Sequence, residues 1–74
     1  MINEIKTHHI IDAEVDSDCT SDGAINWIDI RIENSNGEGF RFTIFPEGGS
    51  DGTLHILEQI RDSASDAISR ARGG

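Results

Sequence analysis

Carboxylates dominate the groups in this chain that are able to do chemistry. Fourteen Asp and Glu stand against six Lys and Arg in 74 residues, a formal net charge of −8. Asp12, Glu14 and Asp16 recur at every second position, and Asp29 and Glu33 bracket Arg31. Paired carboxylates serve as general acid and base only where a desolvated cleft holds their protonation states apart. A row of alternating acids on an exposed strand supplies no such cleft. Cys19 is the only cysteine, which excludes an internal disulfide and any multi-cysteine zinc site. It sits among carboxylates, away from the cationic groups that activate a thiolate nucleophile. His8 and His9 are adjacent, so in a strand they face opposite ways, and His55 lies far off near the start of a helix. That spacing builds no metal site. The run from Asp16 to Gly23 has the alternating acids of a calcium loop. However, the sixth and twelfth positions, where such a loop needs Gly and Glu, hold Ser21 and Trp27. The glycine groups at 37–39 and 48–52 lack the lysine and the strand–loop–helix order of a phosphate loop. Neither catalysis nor a cofactor nor a bound metal is expected. Arg72-Gly73-Gly74 is similar to a ubiquitin-like tail, but strands should then follow the helix. A frayed helix end is the preferred reading.

The charge sets the kind of partner. With a pI near 4.5, the chain repels nucleic acid and anionic lipid and attracts basic surfaces. Direct nucleic-acid or membrane binding is not expected. No segment nears the roughly 18 consecutive apolar residues of a membrane helix, and residues 1–6 lack the basic and apolar runs of a signal peptide. A free thiol suits a reducing compartment. These features place the chain in the cytoplasm.

The elements that must position the acids follow from periodicity. Residues 1–74 form one domain with no repeat or linker. It has a stability on the order of 4–11 kcal/mol. A first strand is expected over about Thr7 to Asp16, with Ile11, Ala13 and Val15 on one face and Ile10, Asp12, Glu14 and Asp16 on the other. Residues 17–23 are turn formers. A second strand runs from about Ile25 to Glu33, with Ile28, Ile30 and Ile32 opposite Trp27, Asp29, Arg31 and Glu33. Asn34-Ser35-Asn36-Gly37 signals a tight turn. A third strand, about Gly39 to Phe45, turns Phe40, Phe42 and Ile44 inward, and Pro46 ends it. Leu54, Leu57, Ile60, Ala64, Ala67, Ile68 and Ala71 form the stripe of a C-terminal helix. Ser50, Asp51 or Thr53 is placed to cap its start, and Gly73 to stop it. The expected fold is α+β, a three-stranded antiparallel meander with one C-terminal helix on one face (β-β-β-α), preceded by a helical turn at Ile2 to Lys6. Its isoleucines, Val15, Phe40 and Phe42 would meet the helix stripe in a single core.

The same alternation collects Asp12, Glu14, Asp16, Asp29 and Glu33 on the outward face, with Trp27 and Phe45 as an aromatic pair. Asp18 and Asp22 carry the charge into the adjacent turn. In the trial register Val15 pairs near Ile28, which sets Asp12 beside Arg31, Glu14 beside Asp29 and Asp16 beside Trp27. A two-residue slip keeps the faces but changes these neighbours. Two readings fit the face. The acids solvate an exposed sheet, or they form a rim around an aromatic anchor that docks on a basic groove.

Through Trp27-Ile28-Asp29-Ile30-Arg31-Ile32-Glu33, the Asn36-Gly37 turn and the helix that follows, the architecture resembles small acidic phage-encoded inhibitors of the anti-CRISPR type. The resemblance is one of form and charge. It implies a non-enzymatic inhibitor acting in the host cytoplasm. By phosphate mimicry, the inhibitor would block a basic, nucleic-acid-binding surface such as that of a CRISPR effector subunit. Asp12, Glu14, Asp16, Asp29 and Glu33 would then stand for phosphates, Trp27 and Phe45 would anchor, and Asp18 and Asp22 would extend the partner-binding surface. The residues also fit a homodimeric assembly module joined through strand edges or the Trp27 face. A third fit is an immunity or antitoxin protein that neutralises a basic toxin.

Overall fold

Two turns of the same design set the sheet. In each, a carbonyl accepts the amide of a glycine three residues on, Gly23 to Thr20 (2.9 Å) and Gly37 to Asn34 (3.1 Å). The glycine then takes a left-handed conformation, φ 86° at Gly23 and 84° at Gly37. A type I turn followed by a left-handed residue makes a three-residue hairpin, and glycine adopts that conformation without the penalty other residues incur. Only Gly37 in the second turn has positive φ; Asn36 does not. Asn34, nearly buried, organises that turn. Its side-chain oxygen accepts the amides of Asn36 and Glu38 at 3.0 and 2.9 Å, and its Nδ2 donates to Glu38.

A computed structural model describes residues 2–73. β1 (Ile10–Cys19), β2 (Ile25–Asn34) and β3 (Gly39–Ile44) form one antiparallel sheet in the order β1-β2-β3, followed by α1 (Gly49–Gly73). The β-β-β-α architecture is therefore the one the periodicity predicts. Its boundaries differ. β1 begins and ends three residues later than expected, because His9 takes a positive φ of 61° and breaks the strand before Ile10. Asp18 and Cys19 stay in the ladder, where Cys19 pairs with Ile25. Residues 2–8 form no regular element, so the expected helical turn at Ile2 to Lys6 is absent.

The register also slips by two residues from the trial pairing. Val15 lies opposite Ile30, Glu14 opposite Arg31, Asp12 opposite Glu33 and Asp16 opposite Asp29. Ile32 faces Phe40. Bulges near Ile11 and near residues 26–27 absorb the mismatch. The first bulge sets Ile10 opposite Asn34, in phase with Ile32. Ile10 therefore belongs to the apolar face and not to the acidic one.

The helix starts earlier than its cap residues suggest. Gly48 and Gly49, with φ of 91° and 65°, turn the chain out of the sheet. Ser50, Asp51 and Thr53 then lie inside the helix. The Ser50 hydroxyl accepts the Ile25 amide (3.1 Å), and Thr53 donates to the Gly49 carbonyl (2.9 Å). Gly73 continues the helix as its last residue.

The expected single core is not assembled. Ile28 is the only fully buried apolar residue among those described, and Thr53 is its counterpart on the helix. Ile30, Ile32, Phe42, Ile44, Ile56, Leu57 and Ile60 are half-buried, whereas Val15 and Leu54 are about half exposed. The cause is geometric. A helix of 25 residues is about 37 Å long. Its close backbone approach is to β2 alone among the strands, and every residue from 61 to 73 is exposed.

A Cβ on Gly52 would stand 1.8 Å from the Glu47 carbonyl oxygen, whereas one on Gly37 meets nothing within 4 Å. Gly37→Ala should therefore lose only the left-handed penalty, about 1 kcal/mol. Gly52→Ala must move backbone and should lose about 3 kcal/mol. Urea denaturation of the two variants gives the order; equal losses would contradict it.

Candidate functional site

The outward face of the sheet is built in three cross-strand rows. Asp12 and Glu33 form the first, Glu14, Arg31 and Arg41 the second, and Asp16, Asp29 and Thr43 the third. Two of these rows set carboxylates directly opposite each other, an arrangement that destabilises a sheet. Arg31 relieves it. Its Nη2 lies 2.9 Å from Glu14 Oε2 and 3.7 Å from Asp16 Oδ2. The Thr43 hydroxyl donates to Asp29 at 2.7 Å, and the Ser17 amide donates to Asp16. A shallow concavity of about 410 Å³ lies over the rows, lined by Asp12, Glu14, Arg31, Glu33 and Arg41.

Beyond the third row the face becomes aromatic. The Trp27 and Phe45 rings sit 6.1 Å apart and tilted by 52°, a favourable edge-on geometry. Trp27 is half-buried, whereas Phe45 is 72% exposed. Phe45 lies just past the end of β3, where the strand alternation still points it outward.

The structure thus brings together Asp12, Glu14, Asp16, Asp29, Glu33, Trp27 and Phe45. Asp18 sits at the margin, where it accepts a hydrogen bond from the Asn26 side chain (3.1 Å). Asp22 is separate. Its carboxylate turns back into the first hairpin, accepting the Thr20 hydroxyl and the Ala24 amide. These bonds, Thr20 foremost, hold its carboxyl below the ordinary 3.8. Asp22 closes the turn and adds little to the face.

Arg41 was missed by the sequence reading, although the alternation that turns Phe40 and Phe42 inward also turns Arg41 outward. With Arg31 it sets two guanidinium groups against five carboxylates, so the face carries −3 and not −5. It is a patterned surface whose middle row ends in two arginines, with carboxylates in the rows on either side.

The histidines stand outside the site. His8 and His9 precede β1, so the opposite facing expected of strand neighbours does not apply; their ring centroids are 6.4 Å apart. Among the described residues, no three His, Cys, Asp or Glu side chains cluster as metal ligands would. None of the helices there is long and apolar enough to cross a membrane. Comparison with protein-family models, with curated proteins and with solved structures finds no match for the chain.

Two outcomes follow from these contacts. A carboxyl whose value is lowered by folding stabilises the fold fully above the unfolded value and loses that contribution as pH falls through the folded one. The Ala24 amide resonance should therefore titrate with a midpoint below 3.8 in an acid NMR titration; a midpoint above it would contradict the turn. Arg31→Gln should cost about 1 kcal/mol or less, because the pairs it breaks are exposed. The fall in Tm should shrink in high salt as the freed carboxylates are screened. A loss independent of salt would assign Arg31 a packing role.

Proposed function

We propose that the protein is a non-catalytic binding module that lays its acidic sheet face on the basic, nucleic-acid-binding surface of another protein. The observation that carries this reading is the grouping of Asp12, Glu14, Asp16, Asp29 and Glu33 in adjacent rows that end in the Trp27–Phe45 pair. Exposed carboxylates opposite one another weaken a sheet, so a use for them explains their accumulation better than solvation alone. Along β1 the acids repeat every ~6.7 Å on one face, a regular row of negative charge of the kind that a phosphate backbone also presents. Arg31 fixes Glu14 and Asp16 before a partner arrives, which lowers the ordering cost of binding. Trp27 and Phe45 supply an apolar anchor at the end of the charged rows.

In its finer form the proposal is an inhibitor of the anti-CRISPR type, acting in the cytoplasm of a host cell. The face would occupy the Arg- and Lys-lined channel of an effector subunit and exclude nucleic acid. Charge speeds the encounter and the aromatic anchor slows release.

The test is capture of an effector subunit from a lysate that contains CRISPR complexes, with the triple variant Asp12→Asn, Glu14→Gln, Asp16→Asn as comparison. The wild-type chain should capture a basic subunit that high salt or added single-stranded nucleic acid releases. The variant should fold normally and capture at least about tenfold less. Equal capture by the two proteins would sink the proposal.

A further inference from the structure

The two edges of the sheet are unlike. β3 is six residues long, with Phe42 and Ile44 half-buried. β1 is ten residues long, and every residue from Ile10 to Asp16 is exposed. Among the described elements it packs against β2 alone, so its outer edge lies open. Native sheets shorten, cover or bend such an edge, because its unpaired amides and carbonyls are a template for another strand.

Hydrogen bonds at both ends of the sheet fix which backbone groups of β1 are unpaired. The Asn34 amide donates to the Glu38 carbonyl (3.0 Å), so the Asn34 backbone addresses β3. Alternation along β2 then turns the backbone groups of Glu33, Arg31 and Asp29 toward β1, and those of Ile32 and Ile30 toward β3. Ala13 and Val15, opposite Ile32 and Ile30, therefore direct both amide and carbonyl away from the sheet. Ser17 is next in this series, and its amide donates to Asp16 Oδ1 (2.8 Å), which closes the edge at that end. No bulge interrupts the pairing between Asp12 and Ser17. The open stretch is Asp12 to Asp16.

The side chains there restrict what can pair with it. In an added antiparallel strand, residues facing Ala13 and Val15 form the hydrogen-bonded pairs. Residues facing Asp12, Glu14 and Asp16 form the other pairs, in which side chains stand closest, with Cα atoms about 4.5 Å apart. The β1 edge of a second copy would set carboxylate on carboxylate, a destabilising match. A strand with Lys or Arg at every second position sets a cation on each acid instead. Both acids in reach of Arg31 lie on its β1 side; Glu14 contacts it through Oε2, and Asp12 has no ion-pair partner among the described residues. On the β3 edge the same strand would meet Arg41, so charge assigns it to β1.

We infer that the partner contributes an extended segment, with Lys or Arg at alternate positions, that adds to the sheet as a fourth strand beside Asp12–Asp16. The inference rests on the proposed function, because it specifies how the basic surface is held. Backbone hydrogen bonds to Ala13 and Val15 fix the segment, and each of its cations extends one row of the acidic face. The residues between the cations lie beside Ala13 and Val15 and are apolar and β-branched, as strands favour.

The probe is the peptide acetyl-Lys-Val-Lys-Val-Lys-Val-Lys-amide, titrated into the wild-type chain at low salt. Two controls carry the same charge: the peptide N-methylated at its valines, and one of equal composition with its lysines grouped at one end. The alternating peptide should bind at least about tenfold more tightly than either control. It should also slow amide hydrogen exchange at Ala13 and Val15. Equal binding of all three peptides overturns the inference and leaves attraction by the acidic face intact. Slowed exchange at Arg41 and Thr43 with none at Ala13 and Val15 overturns it too. So does failure of every peptide to bind, whereas the proposed function stands or falls separately on capture of an effector subunit.

Discussion

The fold depends on one junction, where the start of α1 meets the start of β2. Ile28 and Thr53 are the only fully buried side chains described, one on each element. The Ile25 amide donates to the Ser50 hydroxyl and ties the two elements together. Burying one isoleucine and the atoms around it stabilises by about 1.5–3 kcal/mol, a large share of what a chain of this size has in total. The sheet's own ladder and its two turns hold the rest in register.

Periodicity alone revealed the three strands, their order, the helix and the division of the sheet into apolar and acidic faces. Alternation in Ile28, Ile30 and Ile32 and in Phe40, Phe42 and Ile44 is a local property, so it survives whatever the strands later pair with. The register of β1 did not follow, because Val15 reads as equally apolar opposite Ile28 or Ile30. The choice is made by bulges and by hydrogen bonds at the turns. The helix start misled for a related reason. Ser50 and Thr53 have cap chemistry, but the Ser50 hydroxyl accepts the Ile25 amide and the Thr53 hydroxyl donates to the Gly49 carbonyl inside the helix, so neither caps the first turn. Helix length was legible and helix cover was not: the stripe at Ala64, Ala67, Ile68 and Ala71 shows that a face is apolar and says nothing about what it meets.

The site was legible as a set of residues and less so as an electrostatic object. Seven of the nine candidate residues share one surface, Asp18 borders it, and Asp22 belongs to the turn. Counting carboxylates overstated the field, because Arg31 and Arg41 lie among them. A net charge of −8 on the whole chain works against compaction, and Arg31 relieves that repulsion where Glu14 and Asp16 lie close together.

The meander order has a consequence for how the chain comes into being. Every strand pairs with its neighbour in sequence, and each hairpin is closed by bonds spanning only a few residues. Contacts this local form early and fast. The strand pairings zip from short loops, whereas the junction of Ile28 with Thr53 joins residues 25 apart, so the sheet has the lower closure cost and orders first. The helix is the segment that closes the molecule, and a chain cut short before Thr53 would keep the acidic strands and lose the contact that holds them.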